Sequence, residues 1–158
     1  MKNIKLIVYD FDGVMTNNKV YMDQNGNEMV QVNRADGLGV AEIKKLGIEQ
    51  MIISTETNPV VSTRAKKLGI NCLQGIDNKK DALKDYCFEN QIELTNVIYI
   101  GNDINDLECM NSVGFPIAVA DAFEEIKEVS IYTLTRNGGD GAVREFCDLI
   151  YQSYKNGE

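Results

Sequence analysis

Two aspartates, Asp10 and Asp12, stand one residue apart where an apolar run ends and a glycine begins. The run before them, residues 6–9 (LIVY), is typical of a strand buried on both faces at the centre of a parallel sheet. Such sheets bind ligands beyond the carboxyl ends of their strands. Paired carboxylates at that place can bind a cation, act as a nucleophile or transfer protons. The alternative is turn chemistry, because Asp and Gly are common turn formers.

Polar side chains recur where the next predicted strands end. Ser54 and Thr55 end the second strand, Lys79 and Lys80 open the helix after the third, and residues 102–106 (NDIND) follow the fourth. In metal-assisted phosphoryl transfer, carboxylates act as the nucleophile and bind Mg²⁺, while a hydroxyl and an ammonium group bind the phosphate oxygens. These strand ends supply each of those groups. Each residue also has a structural explanation, since Ser forms turns, Lys is usually solvated and Asn or Asp cap helices. Their occurrence at successive strand ends favours the catalytic interpretation.

The composition of the whole chain limits its function. The 158 residues suffice for one domain, and 44% hydrophobic with 25% charged residues is ordinary for a soluble protein. The net charge of −8 argues against a nucleic-acid partner, and no apolar run approaches the ~20 residues of a membrane span. With no histidine, acid–base work falls to carboxylates or lysine. Four scattered cysteines predict thiols in a reducing cytoplasm: Cys72, Cys87, Cys109 and Cys147.

Strand-like and helix-like segments alternate along the chain, which predicts an α/β fold with a doubly wound parallel sheet. The exception is residues 16–33, where two β-rich runs flank Asn25-Gly26, a strong hairpin signal. A helix and tail occupy about residues 140–158. No repeat or linker divides the chain, so residues 1–158 are predicted to form a single domain with an inserted hairpin.

Four segments resemble the motifs of the haloacid dehalogenase superfamily of phosphotransferases: residues 10–16 (DFDGVMT), 52–54 (IIS), Lys79 and 101–106 (GNDIND). Further stretches are similar to its small capless branch of sugar-acid phosphatases, namely residues 18–28, 33–40, 64–70, 74–79 and 138–150. The resemblance covers nearly the whole chain. It implies the superfamily's Rossmann-like fold with a β-hairpin insertion and no cap domain.

The resemblance also implies roles for individual residues. Asp10 corresponds to the nucleophile and Asp12 to the general acid/base. Phosphate and substrate binding fall to Gly13, Ser54, Thr55, Glu56, Lys67, Lys79 and Asp106. The Mg²⁺ ligands would be Asp10, the Asp12 carbonyl, Asn102 and Asp103. Phosphatases of this branch usually carry aspartate where Asn102 stands, so an uncharged ligand predicts weaker Mg²⁺ binding unless Asp103 compensates.

Two features of the sequence favour a nine-carbon substrate within this branch. Thr55-Glu56 together with Lys67 resembles the nonulosonic acid 9-phosphate phosphatases of sialic acid biosynthesis, and Ala35 stands where the octulosonate enzymes often have arginine. The prediction is a Mg²⁺-dependent phosphatase of an N-acylneuraminate- or KDN-type 9-phosphate. One alternative is a 3-deoxy-D-manno-octulosonate 8-phosphate phosphatase of lipopolysaccharide or capsule synthesis. Another is a weakly active or non-catalytic oligomerisation partner of a CMP-sialic acid synthetase, where a similar Gly-Asn opening occurs.

The resemblance further implies an assembly. Members of this branch associate as homotetramers through the inserted hairpins, and a neighbour's C-terminal segment, about Gly138–Arg144 here, closes each site. An exposed hairpin edge is suited to pairing with another chain. The expected protein is therefore a cytoplasmic homotetramer that takes a small phosphorylated sugar acid and neither nucleic acid nor membrane.

Overall fold

Short strands and helices alternate throughout the computed structural model, which describes residues 3–157. The strands are β1 (Leu6–Tyr9), β2 (Tyr21–Met22), β3 (Glu28–Met29), β4 (Glu49–Ile53), β5 (Asn71–Leu73), β6 (Val97–Gly101), β7 (Phe115–Ala118) and β8 (Tyr132–Thr133). The helices are α1 (Arg34–Lys45), α2 (Val60–Leu68), α3 (Lys79–Glu89), α4 (Leu107–Met110), α5 (Glu124–Val129) and α6 (Ala142–Lys155). Single 3₁₀ turns lie at Leu94–Asn96 and Ile104–Asp106. The predicted alternation is confirmed.

Six strands form one parallel sheet in the order β5-β4-β1-β6-β7-β8. β1 lies between β4 and β6, with Tyr9 level with Ile52 on one side and Ile100 on the other. All four residues of β1 are buried, as expected for a strand covered on both faces. The strand order reverses direction at β1, so the carboxyl end of β1 is the point where such sheets bind ligands.

Helices α1 and α6 pack together against one face of the sheet. They approach closely because Gly39 has no side chain, since a β-carbon there would lie 2.8 Å from the Cys147 β-carbon. Beneath them the ring of Tyr9 meets Phe146 edge-on, and its hydroxyl donates to Gln50 Oε1 at 2.8 Å. A buried polar group is thereby satisfied within the apolar core.

Residues between β1 and α1 form the predicted hairpin, with β2 and β3 antiparallel and a further bridge between Thr16 and Val32. Its turn is built around Asp23, whose carboxylate accepts from the backbone amides of Asn25 and Asn27. Gly26 takes φ +82° and donates its amide to the Asp23 carbonyl at 3.1 Å. Hydrogen bonds within the turn therefore stabilise the hairpin, whereas its two strands stay largely exposed.

Three further predictions can be compared with the structure of residues 3–157. None of its helices is long and apolar enough to cross a bilayer. No second domain covers the carboxyl edge of the sheet, in agreement with a capless fold. All four cysteines are free, three of them buried, as the scattered spacing predicts.

Candidate active site

Asp10 lies directly beyond β1, with its backbone amide bonded to the Ile100 carbonyl. Its carboxylate is buried, and one oxygen, Oδ1, accepts the Phe11 amide at 2.7 Å and the Lys79 ammonium at 2.8 Å. The other oxygen, Oδ2, remains for a further partner. The residue predicted as the nucleophile is thus rigidly held at the carboxyl end of the central strand.

Lys79 is equally buried and bridges two carboxylates, because Nζ also lies 2.9 Å from Asp106 Oδ1. Asp106 accepts at both oxygens. Oδ1 also receives the Tyr99 hydroxyl at 2.7 Å, and Oδ2 receives the backbone amides of Asn102 and Asp103 at 2.9 and 3.4 Å. Asp106 therefore orients the lysine and the loop after β6, as the resemblance implies.

Tyr99 is a site residue that the sequence did not indicate. It lies inside β6 and is fully buried, so its position predicts core packing, yet its hydroxyl reaches Asp106. The only signal in the sequence is a tyrosine in an otherwise aliphatic strand, since a buried tyrosine hydroxyl needs a partner.

Burial dominates the electrostatics of this group. It raises the pKa of Asp10 to about 8, with the Asp106 charge acting in the same direction and Lys79 against it. Burial disfavours the charge of Lys79, but Asp10 and Asp106 outweigh it and raise the pKa of the ammonium. The lysine is therefore held as a cation, and a second cation beside Asp10 would keep that carboxylate ionised.

Asn102 carries its amide to the open side of Asp10. One end of this amide lies 3.0 Å from the Asp12 carbonyl oxygen and 3.1 Å from Asp10 Oδ2, while the other end faces hydrogen-bond donors. With nitrogen at the first end, the amide donates to both oxygens. With oxygen there, the Asn102 oxygen lies from each of the other two at the spacing of neighbouring ligands in a Mg²⁺ octahedron, ~3.0 Å for bonds of ~2.1 Å.

These three oxygens fit the Mg²⁺ that the resemblance implies. They are hard donors of suitable spacing, although only Asp10 brings a charge. Among residues 3–157 no cluster of three or more His, Cys, Asp or Glu side chains is arranged for a metal. Asn102 and the Asp12 carbonyl would both bring an uncharged oxygen to a cation.

Asp103 was also predicted as a ligand, and the structure gives it another role. Its carboxylate accepts the Ile104 amide at 2.6 Å and forms a capping box with Asp106 at the start of the 3₁₀ turn. One oxygen of Asp103 is therefore engaged in capping the turn. Compensation of Asn102 by Asp103 stays a prediction.

Asp12 is half-buried at the mouth of the site. Burial, and then the charge of Glu56, raises the pKa of Asp12 above its ordinary value. Its Oδ1 accepts the Thr16 hydroxyl at 3.5 Å, and that hydroxyl in turn accepts the amide of Gly13 at 3.2 Å. A carboxyl group with a raised pKa is suited to give a proton to a leaving group. Gly13 itself must be glycine, because a β-carbon there would lie 2.0 Å from Asn102 Nδ2.

Ser54 reaches the same edge from β4, one residue beyond the level of Asp10. It is buried, and its hydroxyl accepts the Glu56 amide at 3.1 Å. Thr55 is exposed beside it. Glu56 uses Oε1 to accept the amides of Thr57 and Asn58, both at 2.8 Å, which leaves its second oxygen available. The structure therefore brings Ser54, Thr55 and Glu56 to the site edge as predicted.

Lys67 lies apart from this cluster, exposed in the last turn of α2. With Arg64 it lines a groove of about 470 Å³ that extends to Phe11, the residue between the two site aspartates. Lys67 is thus connected to the region of the site aspartates through this groove and makes no direct contact with them in the described structure.

The first residues of the C-terminal segment pack against their own chain. Gly138 and Gly139, predicted to close a neighbour's site, lie against the Gly13–Asn17 loop, and Ala142 and Val143 are buried in the core. Closure of the site by a neighbour's segment stays a prediction.

Comparison with known proteins identifies the family. A model of haloacid dehalogenase-like hydrolases matches residues 18–146. The chain is 39% identical over 150 residues to the 3-deoxy-D-manno-octulosonate 8-phosphate phosphatase of Escherichia coli (strain K12), covering 94% of this chain and 80% of that protein.

Two solved structures are closely similar. The phosphatase of the same name from Moraxella catarrhalis, in complex with magnesium, phosphate and a KDO molecule, has a TM-score of 0.94 at 38% identity, over 98% of this chain and 90% of that one. A putative hydrolase from Streptomyces avermitilis has a TM-score of 0.90 at 46% identity, over 97% and 85%. The chain therefore belongs to the haloacid dehalogenase-like hydrolases, in their capless sugar-acid phosphatase branch, and is a phosphoric monoester hydrolase.

Proposed function

We propose that this chain is a Mg²⁺-dependent phosphatase that removes the terminal phosphate of a sugar acid through an aspartyl-phosphate on Asp10. The observation that carries the proposal is the buried Asp10, with one oxygen held by Lys79 and Phe11 and the other facing the Asp12 carbonyl and Asn102. One oxygen is thus fixed for orientation and the other is directed to a cation and substrate.

In the proposed reaction, Asp10 attacks phosphorus while the ester bond on the opposite side breaks. Asp12 gives its proton to the departing sugar oxygen, then takes a proton from the water that hydrolyses the aspartyl-phosphate. Ser54 and Lys79 are placed to bind the phosphate oxygens as charge spreads over them. Mg²⁺, when bound, would neutralise the phosphate and keep Asp10 ionised.

The eight-carbon 3-deoxy-D-manno-octulosonate 8-phosphate is the better supported substrate. The Escherichia coli and Moraxella catarrhalis relatives are phosphatases of this compound, and the Moraxella catarrhalis structure contains KDO itself. The nine-carbon prediction made from the sequence stays a prediction, and these relatives favour its alternative. Both substrates are carboxylates, so the groove with Lys67 and Arg64 suits either.

A nonulosonic acid 9-phosphate is kept as a second candidate because of the position of Glu56. The charge of Glu56 acts on Asp12, the proposed proton donor to the leaving group, and one oxygen of Glu56 is available. A carboxylate at that place would accept hydrogen bonds from the hydroxyl groups of a longer polyol chain.

The hairpin supports a homotetramer as part of the proposal. Tyr21, Met22 and Met29 expose 70%, 65% and 64% of their surface, and an isolated two-stranded hairpin is marginal without packing. We expect a tetramer by light scattering, and a Tyr21→Lys/Met29→Lys variant, which charges a facing pair, to be smaller. A monomeric wild type would contradict this assembly.

The deciding experiment is phosphate release from both sugar-acid phosphates with saturating Mg²⁺. Wild-type protein should turn over at least one of them, and Asp10→Asn should abolish turnover. Asp85→Asn, on the exposed face of α3, is the matched control and should be unaffected. The ratio of kcat/KM for the two substrates assigns the sugar acid. Wild-type protein that releases no phosphate from either would support the non-catalytic partner of a CMP-sialic acid synthetase.

A further inference from the structure

Two glycines of the C-terminal segment pack against the Gly13–Asn17 loop, which directly follows Asp12. A β-carbon on Gly138 would lie 1.8 Å from the Gly13 carbonyl oxygen and 3.0 Å from that of Thr16. A β-carbon on Gly139 would lie 2.4 Å from the Asn17 amide nitrogen. The backbones of the two segments are therefore in direct contact over the whole Gly13–Asn17 loop, and no side chain fits between them.

This contact is fixed by hydrogen bonds on three sides. The Gly139 amide donates to the Val14 carbonyl at 3.1 Å, within the loop itself. The Gly138 amide donates to Asp121 Oδ1 at 2.9 Å, and the Gly139 carbonyl accepts Asn33 Nδ2 at 3.4 Å. Asp121 follows β7 and Asn33 caps α1, so the glycine pair is anchored to two separate parts of the fold.

The loop in turn orients Asp12 through one hydroxyl. Thr16 is fully buried, and its Oγ1 accepts the amides of Gly13 and Asn18 at 3.2 and 3.1 Å. With both lone pairs engaged, its hydrogen is directed to Asp12 Oδ1 at 3.5 Å. Any displacement of the Gly13 or Thr16 carbonyl moves this hydroxyl and, with it, the carboxyl group of Asp12.

We infer that Gly138 and Gly139 are positioning residues for the proton transfer of Asp12. They act through the Gly13–Asn17 loop and touch neither phosphate nor sugar. The inference rests on the proposed role of Asp12, which gives its proton to the leaving oxygen as the phosphorus–oxygen bond breaks. Phosphate binding depends on Ser54 and Lys79, which lie on other elements and stay in place.

The test compares two substrates whose leaving groups differ in their need for a proton. An alkyl phosphate needs a proton on its departing oxygen, whereas p-nitrophenyl phosphate releases a stable phenolate without one. Gly138→Ala should lower kcat/KM about 100-fold for an alkyl phosphate and about 3-fold or less for p-nitrophenyl phosphate. Inhibition by inorganic phosphate should be unchanged. Gly37→Ala is the matched control, because its β-carbon would make an ordinary 3.6 Å contact with Leu68.

Asp12→Asn separates failure of this inference from failure of the proposed function. If Asp12→Asn lowers kcat/KM equally for both substrates, the role of Asp12 as proton donor to the leaving group is wrong. If Asp12→Asn discriminates between the substrates and Gly138→Ala does not, the positioning role is wrong.

Asp121→Ala provides a second route should Gly138→Ala fail to fold, because Asp121 is exposed and only its bond to the Gly138 amide is lost. It should show the same discrimination to a lesser degree, and Asp121→Asn, which keeps an acceptor oxygen, should restore wild-type behaviour. An Asp121→Ala variant with a wild-type substrate ratio would overturn the inference.

Discussion

Asn102→Asp is expected to tighten Mg²⁺ binding and to make it more dependent on pH. With its nitrogen toward Asp10, the Asn102 amide donates to the Asp12 carbonyl and to Asp10 Oδ2, at 3.0 and 3.1 Å. To bind a cation, the amide must rotate, giving up both bonds and directing its nitrogen at donors. A carboxylate needs no such rotation, because one oxygen faces the cation and the other accepts from the donors.

The size of the effect follows from these contacts. Two hydrogen bonds at about 1 kcal/mol each amount to about 2 kcal/mol, or about a 30-fold lower Kd. The added charge increases this gain. In the metal-free variant, however, two carboxylates 3.1 Å apart repel each other by about 5 kcal/mol at an effective dielectric constant of ~20. The pair therefore retains a proton that Mg²⁺ must displace, and the gain grows as the pH rises.

Isothermal titration of metal-free protein with Mg²⁺ at pH 6 and pH 8 measures both effects. Asn105→Asp is the matched control, because it adds the same charge to an exposed position of the same loop. The reasoning is refuted if Asn102→Asp leaves the Kd unchanged, or if Asn105→Asp tightens binding as much. A gain that does not depend on pH would refute the account of the two carboxylates alone.

Three further substitutions test the buried charges. Lys79→Met leaves Asp10 and Asp106 without their cation, so the free energy of unfolding in urea should fall by about 3–5 kcal/mol at pH 8; the loss should be smaller at pH 5, where Asp10, whose pKa is raised, takes up a proton. Tyr99→Phe removes a donor from a buried carboxylate and should cost about 1–2 kcal/mol of stability, together with a lower kcat/KM; unchanged kinetics would limit Tyr99 to a structural role. Burial raises the pKa of Asp36 to about 6, so the native state holds a proton that the unfolded state releases. The Asp36 carboxyl should therefore lower wild-type stability by up to about 3 kcal/mol as the pH rises from about 4 to about 6. Asp36→Asn should remove this contribution in urea titrations across that range and leave the part of the slope that comes from Asp10.

The sheet and most of the site could be predicted because the signals are local. Apolar runs ended by Asp10, Ser54 and residues 102–106 specify where strands stop, and parallel strands place their ends at one edge. Likewise, Asn25-Gly26 between β-rich runs specified the hairpin, although its turn is organised by Asp23. The motif resemblance then identified the chemistry of these positions.

The features that the sequence did not predict depend on the direction in which a side chain points and on how distant segments pack together. Asp103 has the right type and position for a ligand, but its carboxylate caps the following turn. The sequence predicts Tyr99 only as a residue of a buried strand, whereas in the structure its hydroxyl donates to Asp106. The contact of Gly138 and Gly139 with the Gly13–Asn17 loop was not predicted, because the pattern of a motif does not specify which loop of its own chain it packs against. These are properties of three-dimensional contact between distant segments.

The order of the strands has a consequence for a chain that is still being synthesised. A ribosome that has reached the end of α3 has already produced Asp10, Ser54 and Lys79, but not β6, which supplies Asp106 and Asn102 and lies directly beside β1. Parallel pairing of this kind joins segments far apart in the chain and forms late. A chain at this stage therefore lacks the Asp106 carboxylate that orients Lys79 and the loop that carries Asn102. Recovery of turnover after dilution from urea should report completion of the sheet itself.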